Sequence, residues 1–166
     1  MGGIVLIRGY EPLDLIQLPV PGNFYCAVVH PHIVVSTKAA REILPKAVPM
    51  HDAVRQWGNV GGLVAGLCTG NIKLIGHSMQ DFVAEPYRKQ FIPGFDHLRE
   101  KILETGALAM NISGSGPSVF ALCDSRPVAE SAGKVLKEHF EALDTGCEVY
   151  VVKVSNKGAK LTHLTL

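Results

Sequence analysis

The spacing of apolar residues along the chain predicts short strands near its start and a group of helices after them. Runs with the length of buried strands, separated by turns that contain proline or glycine, occur at residues 4–8, 13–18 and 24–30. Apolar residues then recur every three or four positions, as on one face of a helix, in segments 54–67, 72–82, 95–103 and 128–140. A shorter helix is predicted at residues 37–44, with Ser36 as its N-cap.

Two apolar segments in the second half of the chain flank a run of small residues. The segments are residues 108–112 and 119–123, and the run between them reads Ser-Gly-Ser-Gly-Pro-Ser. Strands joined by so short a connection are expected to pair antiparallel. A final strand is predicted at residues 148–154, and an edge strand at residues 160–164. This order favours an α+β fold with a mainly antiparallel sheet covered by helices on one face.

The run of small residues from Ser113 to Ser118 is the first candidate for binding chemistry. Glycine tolerates positive φ, and the amides of Gly114, Ser115 and Gly116 could together form a concave site for an anionic group. The sequence lacks the Gly-Lys-Ser/Thr ending of a P-loop and the third glycine of a dinucleotide-binding loop. On this pattern alone, a tight connection between neighbouring strands is equally consistent.

Thr37 and Arg41 are candidates for binding a carboxylate. They are four residues apart on the predicted short helix, so a hydroxyl and a guanidinium share one face. The alternative is an ordinary solvated helix surface, where most arginines lie. The spacing leaves both interpretations open.

Arg88 is a third candidate. Pro86 discourages helical geometry at the residue before it, which predicts that Arg88 lies in an irregular segment. Functional side chains are more often displayed on such segments than on regular elements. The alternative for Arg88 is an ion pair with a nearby acidic residue, Glu85 or Asp81.

Glycines recur every four residues within the long helix predicted to begin near Asp52. They are Gly58, Gly62 and Gly66. Each costs up to about 1 kcal/mol of helix propensity relative to alanine, so the stripe predicts that another backbone packs closely there. Gly70 is predicted to end this helix.

The histidines and cysteines do not form a recognisable metal motif. His30 and His32 are close together, but no third ligand follows at a suitable spacing. The cysteines include no Cys-x-x-Cys pair and are Cys26, Cys68, Cys123 and Cys147. Their mostly apolar neighbours favour reduced, buried thiols of a cytoplasmic protein, and we predict no metal site.

Composition narrows the class of protein. A chain of 166 residues fits a single domain over residues 1–166. A net charge of +1 argues against nucleic-acid and anionic-membrane partners, because neutralising phosphates needs a clustered basic surface. The sequence has no recognisable signal peptide or bilayer-spanning segment, which predicts a cytoplasmic location. Strand-like residues begin almost at once, so we expect a piece of a longer protein.

Several stretches, in the same order, resemble the GHMP small-molecule kinases. The segment from Ile112 to Ser118 and the apolar strand after it resemble the third signature of that family. Further stretches are similar to its homoserine kinase branch, and these are residues 36–41, 56–59, 85–88 and 92–95. The likeness covers nearly the whole chain, and several motifs in order are more specific than the glycine loop alone.

This resemblance implies the C-terminal half of a homoserine kinase, with a ferredoxin-like domain. Enzymes of that branch transfer the γ-phosphoryl group of ATP to the hydroxyl of L-homoserine in threonine biosynthesis. By position in the motifs, Thr37, Arg41 and Arg88 match residues around the amino-acid substrate, and a guanidinium suits its α-carboxylate. Gly114 and its neighbours match the loop that closes over substrate and phosphate. No residue is identified as a catalytic base.

The chain departs from the family pattern in one large respect. The glycine- and serine-rich second signature, which wraps the ATP phosphates in the N-terminal half of these kinases, does not occur in this sequence. ATP and Mg²⁺ would therefore be bound mainly by the absent half, and the chain alone is predicted to have negligible activity. The alternatives are half of another GHMP kinase, or a non-catalytic binding or dimerisation module, since the glycine stripe and a sheet edge would suit a homodimer.

Overall fold

Six strands and six α-helices lie within residues 2–158, the part of the chain that the computed structural model describes. The strands are β1 (Ile4–Tyr10), β2 (Leu13–Leu18), β3 (Tyr25–Pro31), β4 (Ala109–Ile112), β5 (Val119–Cys123) and β6 (Cys147–Lys153). The helices are α1 (Thr37–Glu42), α2 (Met50–Thr69), α3 (Ile72–His77), α4 (Glu85–Arg88), α5 (Phe95–Glu104) and α6 (Arg126–Glu141). The edge strand predicted at residues 160–164 lies outside the described residues.

Four of the strands form one antiparallel sheet in the order β4-β5-β3-β6. In its centre, Ala27 of β3 lies opposite Ala121 of β5 on one side and Val151 of β6 on the other. Helices connect β3 to β4 and β5 to β6, which is the strand and helix order of a ferredoxin-like domain. β1 and β2 form a separate antiparallel hairpin. The predicted α+β fold is confirmed.

The larger core lies between one face of this sheet and the helices α5 and α6. Ala27 and Val29 are two positions apart on β3, so both face this side, and both are fully buried. Leu136 and Phe140 are one turn apart on α6 and are also fully buried in the same cluster. The apolar stripe of α6 therefore covers the alternate residues of the central strand.

A second core lies on the opposite face of the sheet. Cys26 and Leu122 are paired across β3 and β5, and they pack with Leu67 of α2 and Ile75 of α3. Because Cys26 precedes Ala27 by one position, the two side chains point to opposite faces. Helices thus contact both faces of the sheet, whereas the sequence predicted helices on one face only.

The glycine stripe of α2 is used for packing along only part of its length. A Cβ atom on Gly66 would lie 2.8 Å from Cγ1 of Ile75, and one on Gly62 would overlap the Ser78 hydroxyl. A Cβ atom on Gly58 would meet no described atom within 4 Å. The prediction that another backbone packs closely is confirmed at Gly66, where the amide nitrogen of Ile75 would lie 3.1 Å from the added Cβ atom. At Gly62 the close neighbours are side chains, and at Gly58 the prediction is wrong.

α3 is shorter than the apolar periodicity predicts. Gly70 ends α2 with φ of 68°, as predicted, and the Asn71 side chain then caps α3 by accepting a hydrogen bond from the amide of Leu74 at 3.1 Å. The helix ends at His77 rather than near residue 82. None of the helices within residues 2–158 has the length and apolarity needed to cross a membrane.

The four cysteines are free thiols that differ in exposure. Cys123 is buried, Cys26 and Cys147 are half-buried, and Cys68 is exposed, so the expectation of buried thiols is wrong for Cys68. Burial raises the pKa of the Cys26 thiol to about 11. Burial, together with the nearby Cys26 and Asp124, raises the pKa of the Cys123 thiol to about 12.

Cys68 is expected to react first when the folded chain is treated with iodoacetamide at about pH 8, because only an accessible thiolate is nucleophilic. Cys123 should stay unmodified until the chain is unfolded, since it is both buried and protonated at that pH. Peptide mapping by mass spectrometry measures the modification at each position. A Cys68→Ser variant is the control, and equal labelling of Cys68 and Cys123 in the folded chain would contradict this expectation.

Candidate functional site

The helix α4 carries Arg88 and is preceded by an aspartate that binds the backbone amides leading into the helix. The carboxylate of Asp81 accepts hydrogen bonds from the backbone amides of residues 83, 84 and 85 at 2.7, 2.9 and 3.2 Å. Pro86 lies in the first turn of the helix, where its missing N–H costs no hydrogen bond. The prediction of an irregular segment is therefore wrong, and Arg88 lies at the end of a short helix.

A buried ion pair fixes α4 against α5 and β4. Glu85 is only 7% exposed and forms a two-point pair with Arg99, in which Nη1 lies 2.7 Å from Oε1 and Nη2 contacts Oε2. Nη2 of Arg99 also donates to the carbonyl of Met110 at 3.0 Å, and its guanidinium carbon lies 4.8 Å from the centre of the Phe95 ring. Both charges are thereby satisfied, so Glu85 is not a free partner for Arg88.

Polar side chains of α2 hold the segment that precedes α4. Oε1 of Gln56 accepts a hydrogen bond from the amide of Phe82 at 2.9 Å, and Nδ2 of Asn59 donates to the carbonyl of Gln80 at 2.7 Å. The guanidinium carbon of Arg55 lies 3.6 Å from the centre of the Phe82 ring. These contacts bind the backbone that would otherwise continue α3, which explains why the predicted helix ends early.

Arg88 connects α1 to the glycine loop. Its Nη1 donates to the carbonyl of Gly114 at 2.9 Å, and its Nε donates to the carbonyl of Ala40 at 3.2 Å. The alternative of an ion pair with Asp81 or Glu85 is wrong, because Arg88 forms no salt bridge within the described part of the chain. Its half-buried guanidinium is therefore held by two neutral carbonyls.

Thr37 and Arg41 lie one turn apart on α1, the helix whose backbone contacts Arg88. The Ser36 side chain caps this helix as predicted, accepting a hydrogen bond from a backbone amide at 3.4 Å. Both Thr37 and Arg41 are exposed, and no carboxylate among residues 2–158 forms a salt bridge with Arg41. The structure places α1 next to Arg88, but neither of these two side chains forms a hydrogen bond or salt bridge with a described residue.

The glycine loop connects β4 to β5 through two residues with positive φ, 60° at Gly114 and 78° at Gly116. The amide of Ser113 donates to the carbonyl of Ser118 at 2.8 Å, and that of Gly116 donates to the carbonyl of Ser113 at 3.0 Å. Three amides were expected to bind an anion; that of Gly116 is occupied, and those of Gly114 and Ser115 donate to no described acceptor. The antiparallel pairing expected for the flanking strands is confirmed.

His30 contacts the end of the glycine loop. Its Nδ1 lies 2.8 Å from Oγ of Ser118, so a hydrogen bond ties β3 to the loop. The backbone amide of His32 instead donates to the carbonyl of Gly146 at 2.7 Å. Across the described ranges, no group of three or more His, Cys, Asp or Glu residues is arranged to hold a metal ion.

A small cleft of about 40 Å³ lies between α4 and the glycine loop. Its walls are formed by Asp81, Ala84, Glu85, Arg88, Asn111, Ile112 and Gly114. Nδ2 of Asn111 donates to the carbonyl of Met79 at 2.6 Å, and its buried Oδ1 has no hydrogen-bond donor among the described residues. The cleft has room for about one or two water molecules, so an amino acid bound here would need further walls.

Sequence reasoning missed two side chains that hold the backbone around the site, Arg99 and Asn111. Arg99 follows the buried Phe95 by four positions on the apolar stripe of α5, and a charge at such a position indicates a buried partner. Asn111 lies inside a short, otherwise apolar strand, where an amide needs hydrogen-bond partners. Both signals are present in the sequence, but the identity of each partner depends on the tertiary fold.

Part of the chain matches a known protein family. Residues 63–142 match the family described as GHMP kinases C terminal. The chain is 45% identical over 163 residues to a homoserine kinase of Chlorobium phaeovibrioides, a match that covers 97% of this chain and 51% of that protein. The chain thus spans about half the length of the curated relatives it matches.

Solved structures agree with this assignment. A crystal structure of homoserine kinase from Cytophaga hutchinsonii has 53% sequence identity and a TM-score of 0.90, covering 92% of this chain and 49% of that one. The mevalonate kinase of L. major has the same fold with a TM-score of 0.67 at 21% identity, over 93% of this chain and 50% of that one. Sequence and fold together show a GHMP kinase C-terminal domain in this chain.

Proposed function

We propose that this chain is the C-terminal half of a homoserine kinase, which transfers the γ-phosphoryl group of ATP to the side-chain hydroxyl of L-homoserine. The observation that carries the proposal is the 45% identity to a homoserine kinase over 97% of the chain. The product is O-phospho-L-homoserine. The same proposal gives the complete protein a role in threonine biosynthesis and a cytoplasmic location.

The geometry around Arg88 supports an acidic substrate. A guanidinium has five N–H donors, and Arg88 uses one on Gly114 and one on Ala40. Three donors remain, enough for a two-point contact with a carboxylate. We assign the α-carboxylate of L-homoserine to Arg88 and Arg41, with Thr37 beside them on α1.

We assign a role to the glycine loop, residues 113–118: it forms the wall of the site that closes over the substrate and the phosphate. The amides of Gly114 and Ser115 have no acceptor among the described residues, so they are free to donate to an anionic oxygen.

ATP and Mg²⁺ are assigned mainly to the N-terminal half of the complete kinase. Since phosphoryl transfer depends on positioning and on neutralising charge around ATP, the chain alone should have negligible activity. We assign no catalytic base in this half, and a homodimer of the complete enzyme is part of the proposal.

A fusion tests this function directly. The N-terminal half of the Chlorobium phaeovibrioides homoserine kinase, joined to this chain, should release ADP from ATP and Mg²⁺ when L-homoserine is added. The same assay should give no signal with this chain alone, or when homoserinol, which lacks the carboxylate, replaces L-homoserine. A folded fusion that phosphorylates mevalonate but not L-homoserine would overturn the substrate, and one that phosphorylates neither would favour a non-catalytic module.

A further inference from the structure

Two side chains from outside the glycine loop form hydrogen bonds with it. Nη1 of Arg88 donates to the carbonyl of Gly114, near the start of the loop, at 2.9 Å, and Nδ1 of His30 lies 2.8 Å from Oγ of Ser118, at its end. Within residues 2–158 the loop has no other side-chain hydrogen-bond partner outside itself. The loop is therefore restrained at both ends, at one by the arginine assigned to the substrate and at the other by a histidine of β3.

Buried packing fixes the position of His30 relative to the loop. Val29 of β3 lies opposite Val119 of β5, and both are fully buried in the larger core. A shift of this pairing by one position would turn valine side chains to the other face of the sheet, so the register is strongly specified. His30 follows Val29 and Ser118 precedes Val119, which places the two polar side chains side by side at the end of the pairing.

His30 has no charged partner that competes with Ser118 among the described residues. On its other side it lies opposite Glu148 of β6, but that carboxylate accepts a hydrogen bond from the Tyr150 hydroxyl at 2.7 Å and forms no salt bridge with His30. The His30 side chain is exposed, so it contributes little to either core. Ser118 is therefore its single hydrogen-bond partner in the described part of the chain.

A restraint at Ser118 matters because glycine gives the loop backbone wide conformational freedom. Gly114 and Gly116 both adopt positive φ, a region that glycine enters without steric cost but populates no more readily than negative φ. The amides of Gly114 and Ser115 bind one anionic group only when the loop holds both in a suitable orientation. Donors that are already in place stabilise developing charge better than donors that must first reorganise.

We propose that His30 is a positioning residue for phosphoryl transfer, an inference that rests on the proposed function. Its hydrogen bond to Ser118 holds the end of the loop, and thereby keeps the amides of Gly114 and Ser115 in the arrangement that binds the transferred phosphate. In this role His30 touches neither the substrate nor the phosphate. Its loss should therefore slow the chemical step without weakening the binding of L-homoserine, which is assigned to the arginines.

The kinetics of the fusion described above test this role. His30→Leu should lower kcat by about tenfold, the contribution of one good hydrogen bond, and change KM for L-homoserine by less than about twofold. His30→Asn, whose amide places a polar atom near the position of Nδ1, should recover most of the lost kcat, which a role in packing alone does not predict. His32→Leu is the matched control, because that exposed histidine lies two positions away and its side chain forms no hydrogen bond with a described residue. Equal kcat values for His30→Leu and His32→Leu would overturn the inference.

A double-mutant cycle identifies the group through which His30 acts. Ser118→Ala should lower kcat by about the same factor as His30→Leu, and the double variant should be no slower than either single variant. A loss of about a hundredfold in the double variant would mean that the two effects multiply, and it would overturn the inference because His30 would then act on another group. Since His30 is exposed, His30→Leu should keep the melting temperature of the unmodified fusion.

Hydrogen exchange of the loop separates this inference from the proposed function, because it needs no activity. Rapid-mixing exchange with peptide mass spectrometry follows residues 111–120 in the folded fusion, where the amides of Ser113 and Gly116 are hydrogen-bonded within the loop. His30→Leu should speed exchange of this peptide by about tenfold and leave that of β6 unchanged. Faster exchange in a fusion that does not phosphorylate L-homoserine supports the positioning of the loop and overturns the substrate assignment. Unchanged exchange in a fusion that does phosphorylate L-homoserine overturns the role of His30 and leaves the proposed function standing.

Discussion

Replacing Glu85 by alanine is expected to lower the free energy of unfolding by about 3 kcal/mol. The variant leaves the guanidinium of Arg99 largely buried, with the carbonyl of Met110 as its remaining hydrogen-bond acceptor among the described residues. An unpaired charge in a buried position destabilises the fold, because the protein interior solvates a charge less well than water does. Urea denaturation followed by circular dichroism measures the change. We also expect α4 to loosen, since this pair holds it against α5.

Two matched variants test the cause of that loss. Glu130→Ala removes the carboxylate from an exposed pair with Arg126, in which Nε lies 2.9 Å from Oε1, and should change stability by less than about 1 kcal/mol. The double variant Glu85→Leu with Arg99→Met leaves no charge unpaired, so it should be more stable than Glu85→Ala. If Glu85→Ala cost no more than Glu130→Ala, the ion pair would not be the buried anchor described above.

Replacing Arg88 by methionine in the fusion should lower kcat/KM for L-homoserine by about 100-fold. A hydrogen bond to a charged group contributes about 1.5 to 3 kcal/mol, and about 1.4 kcal/mol corresponds to a tenfold change. The variant removes the proposed carboxylate contact and also the hydrogen bonds that hold Gly114 and Ala40 in place. The coupled ADP assay at varied L-homoserine measures the effect.

The controls for Arg88 separate charge from geometry. Arg88→Lys keeps a positive charge but loses the planar fork of donors, so it should remain strongly impaired. Arg126→Met removes an exposed arginine on α6 and should leave kcat/KM unchanged. A rise in KM for ATP, with KM for L-homoserine unaltered, would contradict a carboxylate-binding role. Melting temperatures of all variants exclude loss of folding as the cause.

Local pattern was sufficient to predict most of the regular elements. The bounds of β2 and β5 match the prediction, and the other strands agree within two residues. These strands are bounded by turns or by the glycine loop, so short-range signals mark their ends. The early end of α3 was not predictable in the same way, because Gln56 and Asn59 bind its continuation from another helix. Pro86 was misread because it also suits the first turn of a helix.

The sequence predicted residues of the candidate site but not the contacts between them. Arg88 and the glycine loop were singled out separately, 26 positions apart in sequence, and only the folded chain brings Nη1 of Arg88 to the Gly114 carbonyl. Thr37 and Arg41 were expected on one helical face and do lie on α1, but their contact with a substrate stays a prediction.

The sequence by itself determined the elements, the α+β class and the family resemblance, because helix periodicity, strand length, turn residues and motifs are properties of neighbouring positions. The tertiary structure decided what depends on distant positions: the strand order β4-β5-β3-β6, the partner of Glu85 and the exposure of Trp57. An apolar stripe is the same in sequence whether a neighbour covers it or not. Its burial depends on whether another part of the fold packs against it. Only the folded structure therefore shows that the apolar stripe of α2 is exposed along the N-terminal half of the helix.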